Sequence, residues 1–499
     1  MFPDRLHSFI NKTLFDSLHL LCYFLAAKGF PAVQQKNHLE KAVPTEPTFA
    51  QIAGIAVPQL GLMLCHLGVS LTDLWVAGRI DTAVVASLGI VSQVFTLLML
   101  ITSIAGSGCL AAVSQALGAG LALRARRYAG LIVSLAFCAG SLVGLVGYLS
   151  LPLLFSLLRV PEPLAPVVRV FVSVYCLNLP FFYALILLNS VFRAYKLVRL
   201  PFFALLLVFM VNLAGSLGFG LGYWGLPNCG YAGIAWATFA STLVGLACNL
   251  LAVRRHAVIR RDSFAPWRWN IRALPFLLRV GVPSALGQMA EHGGRIVMLG
   301  LVATLPGSVD ILAGMTLGLR VHAVLMFPLG AISLSMAIFS GHMLGAGDTE
   351  SLFRFGKKTA ATTGLLFAIP AIALYTFREP IAALLASDPN AIRHAATYLS
   401  FACLGVPALA CGMTLNGFFS GAGATPLGLI AGCLSMWAVQ VPLGWYLAHI
   451  QGWGEQGVFM GILCAEFVFA GCIIALYASR KWLHFGLRKR KHPGQGRLR

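Results

Sequence analysis

From Phe49 to Thr72 the chain runs for 24 residues without one Asp, Glu, Lys or Arg. At ~1.5 Å per helical residue, such a stretch reaches across the ~30 Å hydrocarbon layer of a bilayer. The span it belongs to reads as 50–78, and eleven more apolar segments follow. They lie roughly at 84–117, 128–155, 164–192, 200–223, 230–253, 280–305, 311–341, 357–377, 393–420, 425–450 and 456–479. Hydrocarbon offers the backbone no hydrogen-bond partner, so each segment is expected to be a helix. Only 10% of the 499 residues are charged, against about 25% in soluble domains. The expected fold class is an all-α polytopic membrane protein with twelve transmembrane helices.

The net charge of +20 raises nucleic acid as a partner, and its distribution answers otherwise. Twenty-four of the 36 Lys and Arg fall in 121–127, 193–199, 254–279, 354–358 and 480–499. Pairs of apolar segments separate these clusters, so basic loops alternate with nearly neutral ones. That pattern puts the basic loops and both termini in the cytoplasm, with the chain in the inner (plasma) membrane. Residues 1–48 read as a cytoplasmic extension in which 14–27 is an interfacial amphipathic helix. The expected bundles are 49–253 and 280–480, joined by a basic linker at 254–279 and followed by a basic, disordered tail at 481–499. The twelve cysteines contain no C-x-x-C pair and read as small buried hydrophobes. No cofactor and no metal-ligand cluster is expected.

The halves repeat. Val57-Pro58 returns as Val282-Pro283, Gln115–Gly120 as His342–Gly347, Leu188–Phe192 as Leu415–Phe419, and Gly230–Gly233 as Gly454–Gly457, at offsets of 225, 227, 227 and 224. Six spans per copy is an even number, so the copies enter from the same side. They are parallel repeats about an axis along the membrane normal, with a central cavity between them. With no phosphate-binding loop in the chain, a secondary transporter is the expected class.

The ordered set Gly54–Pro58, Asp73, Val113–Gly120, Asn212 and Gly230–Thr238, echoed by Gly281–Pro283, Glu291 and Gly345–Asp348, resembles the multidrug and toxic compound extrusion (MATE) transporters. The resemblance covers about residues 50–480, and only the set as a whole is specific. It implies a secondary antiporter that exports amphiphilic or cationic organic compounds in exchange for H⁺ or Na⁺. The partners expected are small organic cations and membrane lipid, with no nucleic acid, and the chain is expected to be a monomer.

Asp73 has two readings on position: a coupling carboxylate inside the bundle, or an interfacial residue beside Trp75 in an aromatic belt. The resemblance implies the first, with Asn212 and Thr238 as oxygen ligands to a possible Na⁺. Family members with a second Asp on the fifth helix carry it where this chain has Ser216, which leaves one titrating group in that half. Glu291 falls about 11 residues into the seventh span, and Arg295 follows at i+4, so an ion pair is within reach. The resemblance makes Glu291 a coupling residue, although the tenth-helix Asp that accompanies it in relatives falls on Leu409 here. His66, Asn189, Arg295 and Asn416 are candidates for the substrate cavity; His66 lies two turns before Asp73 on one helix face. Asn212, Ser216 and Thr238 equally suit plain interhelical hydrogen bonding. Glu466, mid-span in the last helix, has no counterpart in the resemblance; pairing with Arg320 and lining the cavity are both open. Two rivals stand beside the antiporter. A lipid-linked saccharide flippase of the wider superfamily would want free arginines for pyrophosphate, and a membrane enzyme would need a cluster of catalytic groups.

Overall fold

The computed structural model describes residues 46–157, 161–386 and 388–487. The expected N-terminal extension up to residue 45, with its amphipathic helix, and the tail beyond 487 lie outside the described residues. Twelve long helices carry the chain: α1 (Phe49–Ile80), α2 (Thr82–Gly118), α3 (Ala122–Leu149), α4 (Ala165–Ala194), α5 (Arg199–Gly215), α6 (Gly230–His256), α7 (Trp267–Ala303), α8 (Ser308–Ala346), α9 (Thr349–Thr376), α10 (Pro389–Ala422), α11 (Thr425–Ile450) and α12 (Glu455–Ala478). All except α7 are long and apolar enough to cross a membrane over a continuous window, α5 doing so with the π turn that extends it to Gly220. Helix α7 carries Arg268, Arg272, Arg279, Glu291 and Arg295 along its length.

Helix ends follow local chemistry. Thr48 and Gln51 close a reciprocal cap on α1, Asp81 caps α2 through the Ala83 amide at 3.1 Å, and Asp348 caps α9 through Ser351 at 3.1 Å. Such caps satisfy backbone donors that the first turn leaves free. Gly120 and Gly347, equivalent in the repeat, both turn the chain at positive φ, +72° and +87°.

The two bundles meet through α1, α2, α7 and α8. Helix α2 lies on α7, its equivalent α8 lies on α1, and α2 meets α8, the arrangement expected of two copies related by rotation. The symmetry extends to atoms. Gln115 on α2 donates to the Gly421 carbonyl at 2.8 Å, and His342, its repeat partner on α8, bonds the Ala194 carbonyl at 2.9 Å. Gly118 rests on the His342 backbone and Gly345 on the Gln115 backbone, each so close that an added methyl group would overlap a carbonyl oxygen. All four contacts lie at the basic-loop end. Further along α7 the bundles touch through Ser107–Ser284 (2.8 Å) and Ser103–Gln288 (3.2 Å).

Two expectations need correction. The basic linker does not extend to 279: helix α7 begins at Trp267, because Arg268, Arg272 and Arg279 decorate a helical face instead of a loop. The first residues of the tail are not free either. Trp482 is fully buried, stacked on Tyr477, and the Leu487 amide donates to Gln115 Oε1 at 2.7 Å.

Candidate functional site

Asp73 is 7% exposed, and the packing of α1 explains why it points inward. Gly61 and Gly68 leave flat places on α1 that seat the rings of Phe202 and Phe209 from α5; a Cβ at Gly68 would stand 2.7 Å from the Phe209 ring. That seating sets the register of α5, so Asn212, one turn beyond Phe209, arrives at Asp73. Helix α6 approaches α5 as closely, with a Cβ at Gly215 only 2.8 Å from the Ala237 Cβ, and this brings in Thr238. Directly after Asn212 the backbone changes from α to π spacing at Ser216–Gly220, an irregularity that recurs at functional sites. It turns Ser216 into the same pocket.

The carboxylate therefore meets three side-chain donors. Asn212 Nδ2 (3.3 Å) and Ser216 Oγ (3.2 Å) donate to Oδ1, and Thr238 Oγ1 stands 3.3 Å from Oδ2. The Thr238 hydroxyl also lies 3.1 Å from the Ile234 carbonyl and accepts from Asn212 Nδ2 at 3.1 Å. It has one hydrogen for two acceptors. With that hydrogen on Asp73 the carboxyl group is ionised; with it on Ile234, Oδ2 can carry its own proton and donate to Thr238. Both protonation states fit one arrangement of heavy atoms. Asn212 Oδ1 is buried with no hydrogen-bond partner, and the side chains gathered here carry a carbonyl, two hydroxyl and two carboxylate oxygens. An all-oxygen set of this kind suits a hard cation. Tyr175 on α4 stands beside Thr238 and within electrostatic reach of Asp73; an aromatic residue in an apolar helix carries no sequence signal for that role. The interfacial reading of Asp73 is not what the structure shows.

Glu291 and Arg295 form their ion pair, with side chains 55% and 60% exposed. They continue the stripe Gly281, Ser284, Gln288, whose members touch α2 of the other bundle. Residues three and four apart share a helix face, so the pair faces the gap between the bundles beyond the last serine and glutamine contacts. His66 is exposed on the α1 face that carries Met63, which reaches Gly330 of α8, and so it borders the same gap.

The two asparagines do not. Asn189 is 1% exposed and accepts from Asn249 Nδ2 at 2.7 Å, inside the N-terminal bundle. Asn416 turns its amide against Gly428 of α11. Burial removes Asn189 from the cavity wall, while Asn416 is half-buried and packs on α11 within its own bundle. Glu466 does not pair with Arg320: its Oε2 is buried without a hydrogen-bond partner. Leu409 brings no polar group to α10. Among the described residues, no three His, Cys, Asp or Glu side chains come together as a metal site.

Two parallel six-helix bundles that part around a charged gap, with an acid held inside one of them, are the build of a secondary transporter rather than an enzyme. The chain belongs to the MATE family: the MatE family model matches residues 58–217 and 283–446, one copy in each bundle. It is 22% identical over 449 residues to a probable multidrug resistance protein NorM of Thermotoga maritima, covering 90% of this chain and 96% of that one. A probable NorM of Bradyrhizobium diazoefficiens is 27% identical over 469 residues, with 89% and 96% covered. The crystal structure of the Vibrio cholerae MATE transporter VcmN in the bent form superposes with a TM-score of 0.79 at 22% identity, over 88% of this chain and 98% of that one. The protein is thus a multi-pass membrane transporter.

Proposed function

We propose that this transporter exports amphiphilic, cationic organic compounds across a bacterial inner membrane in exchange for H⁺ or Na⁺, working as a single chain. The observation that carries the reading is the Asp73 pocket, where one buried carboxyl group can hold a proton without rearrangement and stands among side chains whose oxygens could turn toward a cation. The names of the NorM relatives support the substrate class. The positive-inside pattern supports placing the basic end, and with it the Gln115 and His342 contacts, in the cytoplasm. In that orientation the conformer is closed toward the cytoplasm. Asp73, about 10 Å of helix short of the outer end of α1, takes its ion from outside.

Ion binding at Asp73 can drive the cycle only if it is tighter in one conformer than in the other. The Gly61–Phe202 and Gly68–Phe209 seats give α1 a defined alternative to its contact with α8, so a change at Asp73 alters which bundle α1 follows. Glu291 places an acidic group on the gap, suited to an organic cation. The flippase reading loses ground because Arg295 is already engaged by Glu291 and is not free for pyrophosphate.

Proteoliposomes given a pH gradient and a Na⁺ gradient separately, with a fluorescent organic cation as reporter, test the reading. One gradient should accelerate export. Export indifferent to both, with tight binding of an isoprenoid pyrophosphate instead, would overturn it.

A further inference from the structure

Glu466 is an acid within a membrane span that nothing above uses. It sits halfway along α12, and an added methyl group at Gly405 on α10 would overlap its carboxyl group. The repeat says what this place is. At the offset of 224 that relates Gly230 to Gly454, Glu466 is the equivalent of Thr242; at the offset of 227 that relates Asn189 to Asn416, Gly405 is the equivalent of Asn178. In the N-terminal bundle Asn178 donates to Thr242 at 3.3 Å, one turn along α6 from Thr238 and its bond to Asp73. The C-terminal bundle has exchanged this amide–hydroxyl pair for a glycine and a glutamate, the glycine making room for the larger acid.

The neighbours suit an acid that exchanges protons. Tyr398 on α10 lies within electrostatic reach of Glu466, and its hydroxyl meets His322 Nδ1 of α8 at 3.3 Å. His322 is 7% exposed, and its Nε2, like Glu466 Oε2, is buried with no hydrogen-bond partner. Two buried polar atoms without partners, one on a residue bonded to Tyr398 and one within its electrostatic reach, are expensive for a folded interior unless the groups have work to do. The other titratable groups facing the cluster are Cys403 of α10 and Arg295 of α7, with Arg378 acting on Cys403. Of the remaining segments packed on α12, Thr425–Ile450 carries Cys433, Tyr446 and His449, and the turn after α12 carries Lys481 and His484.

We propose that Glu466, with Tyr398 and His322, is a second proton-binding site, set in the C-terminal bundle at the place the repeat pairs with the edge of the Asp73 network. It takes over the half-site that Leu409 leaves without an acid. The step is a plain protonation: the carboxylate accepts H⁺ by way of the gap, on the side where Arg295 acts electrostatically on both Tyr398 and His322, and returns it by the same way. Its role in transport rests on the antiport reading; its ability to bind a proton does not.

The test is infrared spectroscopy of the carboxylic C=O band, followed through a pH series on the full-length protein in nanodiscs. Wild type, D73N, E466Q and the double variant are compared. E466Q should remove one titrating band of a desolvated acid, and D73N a different one. Y398F and H322A, which alter the polar surroundings of the Glu466 carboxyl group without removing it, should keep the Glu466 band and move its midpoint. An unchanged titration in E466Q would overturn the proposal, as would Y398F and H322A midpoints that stay in place. If E466Q fails to assemble, D73N decides: such a band must survive in it, and its absence would overturn the site. Added Na⁺ should leave the Glu466 midpoint alone, and displacement by Na⁺ would overturn the assignment to H⁺. Normal gradient-driven export by D73N, by contrast, would remove Asp73 from the coupling and leave this site untouched, while export indifferent to both gradients would sink the antiport reading.

Discussion

Replacing Asp73 by Asn separates coupling from folding, and the hydrogen bonds give the size of each effect. An amide oxygen in the place of Oδ1 still accepts from Asn212 and Ser216, and the amide nitrogen can donate to Thr238, whose own hydrogen then goes to the Ile234 carbonyl. The loss is the charge assistance of those bonds, about 1 kcal/mol of stability. Asp73→Leu is different. Asn212 keeps Thr238 and Thr238 keeps Ile234, but Ser216 loses its acceptor in a buried place, at a cost of about 1–3 kcal/mol. For transport the order reverses in interest, because Asn cannot take up a proton at all. A gradient of one pH unit is worth ~1.4 kcal/mol, enough for about tenfold accumulation of a substrate exchanged one for one. In D73N that ratio should fall to about one while the melting temperature stays near wild type. The assay is dye accumulation in vesicles alongside thermal melting of the purified protein. Wild-type accumulation by a well-folded D73N, under either a pH or a Na⁺ gradient, would refute the reasoning.

Three further outcomes follow from the contacts. Gly118→Leu and Gly345→Leu each drive a side chain into the facing helix backbone and should cost about 1–3 kcal/mol, read as a lower melting temperature for both, since the sites are equivalent. Gln115→Ala and His342→Ala each remove one contact between bundles at the basic end, worth about 1 kcal/mol. Either should raise the population open at that end by about fivefold, measured as faster labelling of an introduced cysteine. Glu291→Gln leaves Arg295 unpaired on the gap; with both side chains more than half exposed, the Coulomb term is about 1 kcal/mol at contact. Binding of an organic cation should weaken about fivefold, and unchanged affinity would remove the pair from the substrate path.

The sequence carried the architecture well because hydrocarbon forces it: twelve apolar spans must be helices, and an even-numbered repeat must be parallel. Asp73, Asn212 and Thr238 could be placed together through family resemblance. Ser216 joined them as a coupling candidate only because it fills the position of a relative's Asp; the π turn that aims it at Oδ1 has no signature in residue type. The contacts that hold the bundles together were not legible, since Gln115 and His342 bond to carbonyls, and a backbone acceptor looks the same at every position. Charge misled at both ends of the C-terminal bundle. Arg268, Arg272 and Arg279 read as a linker but ride on a helix, and the run around Trp482 read as a tail but is anchored by an aromatic stack. Asn189 and Asn416 drew notice for being repeated, and repetition marks buried packing positions as readily as cavity walls.

Exchange has a reciprocal consequence: a substrate gradient alone must drive the coupling ion uphill. The most direct measurement loads vesicles with an organic cation, imposes no ion gradient, and follows pH and Na⁺ as the substrate leaves. Counterflow of one of the two ions in step with efflux, absent in D73N, is the expected result. Efflux with neither ion moving would contradict the account at its centre.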